Sequence, residues 1–189
     1  MNGSKLEARL TLPETLFLQE SDEIEGIHKV PSLYFYKNRK DADSYVEQHV
    51  AAFERVKDVP PLTIDFVLEL HGILMQNLLP YPGALRTVLV RVGDQIPPGP
   101  AAVPYLLDDW VHRVNDGILH DPLAAHCEFE RIHPFLDGNG RTGRLLWAWQ
   151  RLGQNLPVRP ILTEFDDSLF NLKRHCYYES IRNYRKGPL

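Results

Sequence analysis

Apolar residues recur three and four positions apart along most of the chain. Between Asp41 and Lys57, the residues Tyr45, Val46, His49, Val50 and Phe53 share one face, the spacing of an amphipathic helix. Leu62 to Leu79 repeats the pattern with Phe66, Leu70, Ile73 and Leu74, and Thr63 stands where a cap belongs. Val103 to Ile118 forms a third helical stretch through Leu106, Trp110 and Val114. Pro122 to His133 and Gly140 to Leu152 are a fourth and a fifth, and Phe165 to Tyr184 a sixth, broken near its middle. Prolines mark the boundaries: Pro60 and Pro61, Pro80 and Pro82, and the cluster Pro97, Pro98, Pro100 and Pro104. One stretch departs from the helical period. Arg86 to Val92 is β-branched and roughly alternating, and Gly93, Asp94 and Gln95 follow it. It predicts a strand, a turn and a short return strand before Pro97. The expected fold class is mainly α, a helical bundle with a projecting β-hairpin.

Composition narrows the setting without naming a function. The 189 residues suffice for one domain with a small appendage, and 43% of them are hydrophobic, enough for a sizeable core. The formal net charge of -4 gives no general attraction to nucleic acid or to an anionic membrane. No stretch nears the roughly 20 apolar residues of a transmembrane helix, and the first ten residues lack an apolar signal core. Cys127 and Cys176 form no spaced framework, so a reduced cytoplasmic setting is expected.

Candidate chemistry is concentrated between His133 and Arg144. A helix ends near His133, Gly138, Asn139 and Gly140 make a turn, and a new helix begins beyond it. Backbone N–H groups at a helix start are unpaired and carry positive partial charge. Glycines let such a backbone approach an anion closely, so the turn suits phosphate. Arg141 and Arg144, three apart, lie on nearly the same face of the new helix and suit a polyphosphate. Asp137 stands where a carboxylate would hold Mg2+ against phosphate oxygens. His133 is the one group of the run able to take a proton near neutral pH. Base, metal ligand and cradle together point to phosphoryl or nucleotidyl transfer to a hydroxyl.

The run His133, Phe135, Asp137, Gly138, Asn139, Gly140, Arg141, Arg144 resembles the signature of the Fic family at every defined position. The resemblance covers roughly residues 15 to 187. It implies a helical core that transfers AMP from Mg-ATP to a Ser, Thr or Tyr hydroxyl of an unidentified protein. It makes His133 the general base, Phe135 an anchor of the loop and Asp137 the Mg2+ ligand. Gly138, Asn139 and Gly140 would hold phosphates, Arg141 assist and Arg144 grip the γ-phosphate. Doc-like relatives, which transfer phosphate, lack the second arginine; Arg144 is present here, which favours nucleotidyl transfer. Pro82 to Arg86 and Val90 to Pro98 look like the family's flap hairpin. Val90, Arg91, Val92 and Gly93 would then dock the target's backbone. The resemblance also allows a homodimer.

Ser21, Glu25 and Gly26 resemble the family's inhibitory pattern on a helix that precedes the core. Residues 1–30 are therefore expected to form a segment with that helix, and residues 31–189 the core domain. Glu25 would pair with Arg144 and leave ATP an unproductive pose. Arg174, Tyr177 and Tyr178 look like the stretch beside the nucleobase, with Tyr178 against adenine. Seven residues on, AMP-transferring relatives often have Asn where this chain has Arg185, and the base stays open. Relatives often continue past the point where this sequence stops, so a compact member and a trimmed chain both stay open. Three other functions remain: a hydrolase removing AMP with Glu25 orienting water, a transferase of another nucleotide, and an inactive nucleotide-binding module. His126, Glu130 and His133 form a stripe that would suit zinc or iron, but it leaves the cradle unexplained.

Overall fold

The structure, a computed structural model, describes residues 10–25, 39–165 and 170–185. Seven α-helices account for most of them: α1 (Leu12–Ile24), α2 (Arg39–Lys57), α3 (Ile64–Met75), α4 (Val103–Asn115), α5 (Pro122–Ile132), α6 (Asn139–Gly153) and α7 (Phe170–Arg185). Short 3-10 turns at Pro100–Ala102 and Ile161–Glu164 precede α4 and α7. No described helix is long and apolar enough to cross a membrane.

Local sequence explains most boundaries. The Thr63 hydroxyl accepts from Phe66 N–H at 3.1 Å and starts α3, and Asp121 accepts from Leu123 and Ala124 N–H to start α5. α1 begins where Thr11 N–H donates to Glu14 Oε2 at 2.6 Å, with Pro13 in the first turn. That signal lies in the sequence ahead of the Ser21 to Gly26 pattern. Gly26 itself lies outside the described residues, as do Arg185's side chain and residues 166–169. The break expected near the middle of the sixth helix is absent, for Phe170–Arg185 is one unbroken α-helix. A separate 3-10 turn occupies Ile161–Glu164.

α6 lies at the centre, packed against α5, α2, α3 and α1, while α5 is flanked by α4 and α7. Phe53, Leu70, Leu74, Leu107, Phe129, Phe135 and Trp147 fill the space between them. α1 joins this core through Phe17, whose ring stacks on Trp147 at 5.9 Å and tilts against Phe53 at 5.7 Å.

The expected strands between Arg86 and Pro97 do not form. One reciprocal pair remains at the tip, with Val92 N–H donating to Gln95 O at 2.9 Å and Gln95 N–H to Val92 O at 3.0 Å. The legs lack a ladder because their base is bridged by a side chain. Arg86 Nη1 donates to Val88 O at 3.1 Å and Nη2 to Pro98 O at 2.5 Å. A guanidinium reaching both legs takes the place of backbone pairing.

Candidate functional site

The site assembles where α5 ends and α6 begins. His133 caps α5 in the left-handed region, with φ 51° and ψ 62°. A non-glycine residue there is uncommon, and it ends the helix sharply. Its N–H donates to Phe129 O at 3.0 Å, and its carbonyl accepts from Arg86 Nε at 2.7 Å. Phe135 is fully buried and anchors the loop as expected.

Asn139 is buried, and its side chain faces inward. Oδ1 accepts from Phe135 N–H at 2.8 Å and Nδ2 donates to Phe135 O at 2.9 Å. The side-chain amide thus shapes the turn. What Asn139 offers an anion is its backbone N–H, in the first turn of α6 with those of Gly140 and Arg141. Gly138 adopts φ 79°, and a β-carbon on it would come 2.7 Å from Met75 Sδ, so this position requires glycine. Its N–H donates to Asp137 Oδ1 at 2.6 Å.

Asp137's side chain is 65% exposed, and its Oδ1 lies 3.6 Å from Arg141 Nη2. Among the described residues no cluster of three or more His, Cys, Asp or Glu is placed to hold a metal ion. A single accessible carboxylate suits Mg2+ that arrives with its nucleotide and keeps phosphate and water ligands. It does not suit a closed zinc site. His126 belongs to another arrangement: it is buried, and its Nε2 hydrogen-bonds the Tyr177 hydroxyl at 2.9 Å.

Arg144 is the most deeply committed charge of the site, 1% exposed. Its Nε donates to Ser21 Oγ at 2.8 Å, Nη1 to the Tyr177 hydroxyl at 3.1 Å, and Nη2 to Ser21 O at 3.1 Å and Glu25 Oε1 at 2.5 Å. Ser21 and Glu25, four apart on one face of α1, thus both close on one guanidinium. Burial pushes the Glu25 carboxyl up, but the charge and hydrogen bond of Arg144 outweigh it and hold the group below its usual range. Burial disfavours the Arg144 charge too, yet Tyr177 and Glu25 hold its pKa above the ordinary value. The same carboxylate covers Gly140, where any added β-carbon would collide with Glu25 Oε1. An acidic group therefore already sits over the first turn of α6, where an anion is expected.

Tyr178, expected against adenine, is 41% exposed, and its hydroxyl donates to Ile24 O at 3.0 Å. Here it fastens the end of α1. Val90, Arg91, Val92 and Gly93 lie in the ladderless excursion, with Arg91 and Gly93 exposed.

One contributor carries no signal in the sequence. His71, on α3, is buried and stacks on Phe135, with ring centroids 3.7 Å apart and planes within 3°. Its Nδ1 accepts from Gly83 N–H at 2.8 Å, so the ring proton lies on Nε2, which donates to Asp137 O at 3.0 Å. Burial lowers its pKa to about 4, which keeps this tautomer neutral. His71 joins the loop to a segment 66 positions earlier in pairing with Asp137, and such distances leave no trace in local pattern.

This geometry has relatives. Residues 61–150, which include the whole loop, match the model described as Fic/DOC family. "Protein adenylyltransferase Fic" of Nematostella vectensis is 32% identical over 135 residues, 68% of this chain and 30% of that protein. The protein of the same name from Drosophila yakuba is 38% identical over 135 residues, 68% of this chain and 26% of that one. The chain thus spans less than a third of the length of these curated relatives. A Fic domain-containing signaling protein from Bacteroides thetaiotaomicron shares the fold, with a TM-score of 0.70 over 96% of this chain and 76% of that chain, at 20% identity. With the signature loop inside the matched segment and the helical bundle shared along nearly its whole length, the chain belongs to the Fic/DOC family.

Proposed function

We propose that the protein is an adenylyltransferase that moves AMP from Mg-ATP to a Ser, Thr or Tyr hydroxyl of another protein, and that Glu25 holds it inactive. The observation that carries this reading is the seat of the Glu25 carboxylate, over Gly140 and bonded to Arg144 at 2.5 Å. A carboxylate occupies the place an anionic ligand needs, and it consumes a donor of the arginine meant for the γ-phosphate.

In the reaction the target hydroxyl attacks the α-phosphorus. His133 takes the hydroxyl proton, the bond from the α-phosphorus to the oxygen it shares with the β-phosphorus breaks, and pyrophosphate leaves. The first amides of α6 stabilise charge on the phosphates. Asp137 would hold Mg2+, which neutralises phosphate charge as it does in phosphoryl transfer generally. Arg144, once freed from Glu25, would orient the γ-phosphate so that the α-phosphorus faces the incoming hydroxyl. Val90 to Gly93, in the excursion from Arg86 to Pro98, would meet the target's backbone.

The test is intact mass spectrometry of Glu25→Gly after incubation with each nucleoside triphosphate and Mg2+. A mass increase of one AMP, with ATP and not with other donors, is expected, and wild type should gain far less. Equal labelling of the two proteins would dismiss the inhibitory role. Labelling by another donor would change the nucleotide, and binding without labelling would leave a nucleotide-binding module. A pre-modified target that is discharged by wild type but not by Glu25→Gly would instead assign Glu25 to AMP removal.

A further inference from the structure

We propose that Arg86 is a positioning residue that ties the excursion from Arg86 to Pro98 to the turn carrying His133, so that the two move as one piece. The kinetic part of this inference rests on the transferase reading; the coupling itself does not.

Arg86 is 5% exposed, and its donors go to backbone carbonyls on two sides. Toward α5, Nε donates to His133 O at 2.7 Å and Nη2 reaches Ile132 O at 3.4 Å. Its own N–H donates to Pro134 O at 2.9 Å. Three consecutive carbonyls at the end of α5 are thereby satisfied by one residue 47 positions away from His133. These carbonyls lack the N–H partners that a continuing helix would supply, and a cation there also meets the negative end of the helix dipole. Toward the excursion, Nη1 and Nη2 hold Val88 O and Pro98 O. The two legs share only the Val92 and Gln95 pair at the tip, so the guanidinium closes their base.

The consequence concerns His133. Its left-handed backbone is sparsely populated for residues with a side chain and persists because neighbours hold it. Arg86 supplies the bond to its carbonyl. Without that bond the turn relaxes, and an imidazole displaced by about 1 Å loses on the order of a hundredfold in rate. The cradle is supported separately. Asn139 bonds both backbone groups of Phe135, and His71 bonds Asp137 O. Removing Arg86 should therefore spare Mg-ATP binding while slowing transfer. Lysine cannot replace it, because a single ammonium lacks the planar fork that reaches four carbonyls on opposite sides.

The experiment compares Arg86→Lys and Arg86→Met, each in the Glu25→Gly protein, with that protein alone. Self-labelling is followed at increasing Mg-ATP, and backbone hydrogen exchange is mapped by mass spectrometry. The maximal labelling rate should fall at least about tenfold in both variants, with half-saturating Mg-ATP within about twofold. Exchange should rise together in residues 86–98 and 132–137 and stay unchanged in α6. A rise confined to 86–98, an unchanged maximal rate, or a rise extending through α6 would each overturn the proposal. If the Glu25→Gly protein does not label itself, the transferase reading falls, and the exchange maps alone decide the coupling.

Discussion

The turn from His133 to Arg144 and the helix α1 that lies on it are held by different kinds of contact. The turn is built from contacts among uncharged groups, one local and two with α3: Asn139 around Phe135, Gly138 against Met75, the His71 ring stacked on Phe135. α1 is held by Phe17, Leu18 and Ile24 in the core and by polar latches: Ser21 and Glu25 on Arg144, Glu20 on Leu162 N–H, Asp22 on the Tyr45 hydroxyl, Ile24 O on Tyr178. Several of those latches are ionisable and all link residues far apart in sequence. On the proposed reading, the chemistry rests on an uncharged scaffold and its inhibitory cover on latches that can change charge.

The largest test of that contrast is on the side of the scaffold. His133→Ala in the Glu25→Gly protein should reduce AMP transfer by about 10²- to 10⁴-fold, the range of a lost general base, with thermal stability near that of the parent. On the side of the cover, Glu25→Gly alone should raise transfer by about 5- to 150-fold, the usual span of a coupling between two sites; a radiolabel assay with α-labelled ATP measures it. Phe17→Ala attacks the same cover through its apolar anchor. Truncating a buried Phe costs about 3 to 5 kcal/mol, so the melting temperature should fall while activity per folded molecule rises. Ser21→Ala removes one neutral acceptor from Arg144 and should raise transfer by only a few fold, because a single hydrogen bond contributes about 1 kcal/mol.

The smallest effect is on pH. Burial raises the Glu20 pKa to about 7 and that of Asp22 to about 6. In a released α1 both would titrate at ordinary carboxylate values. The docked helix therefore holds extra protons, and its advantage is greatest at low pH and fades as pH rises through 6 to 7. Wild-type activity, divided by that of Glu25→Gly at each pH, should climb between pH 6 and pH 8. A flat ratio would show that these carboxyls do not govern docking.

What the sequence made visible follows the same division. The bundle was legible because its helices carry the helical period and their caps are local, as at Thr63 and Asp121. The candidate site was legible because its chemistry fills twelve contiguous residues. Spacing put Ser21 and Glu25 on one helical face, and the resemblance to the family's inhibitory pattern supplied Arg144 as the partner of Glu25. The misreading at Arg86 to Val92 has a physical source. Alternating β-branched residues favour extended backbone, but extension without a partner strand is not a sheet, and the Arg86 side chain took the place of that partner. The inward bonds of Asn139 to Phe135 and of Tyr178 to Ile24 were not legible, because residue type says nothing of direction. His71 and Arg86 left no local sign, since their partners lie 66 and 47 positions away.

Arg144 and Trp147 serve two masters on α6. Arg144 receives Ser21 and Glu25, and Trp147 receives the Phe17 ring, while the same helix forms the cradle and the centre of the core. Mutations that escape control consequently have a one-sided distribution. On the proposed reading, a selection for hyperactive alleles should recover changes among residues 12–25 and few within 139–151, because a lesion on the receiving side would disarm the proposed lock and the proposed transfer together.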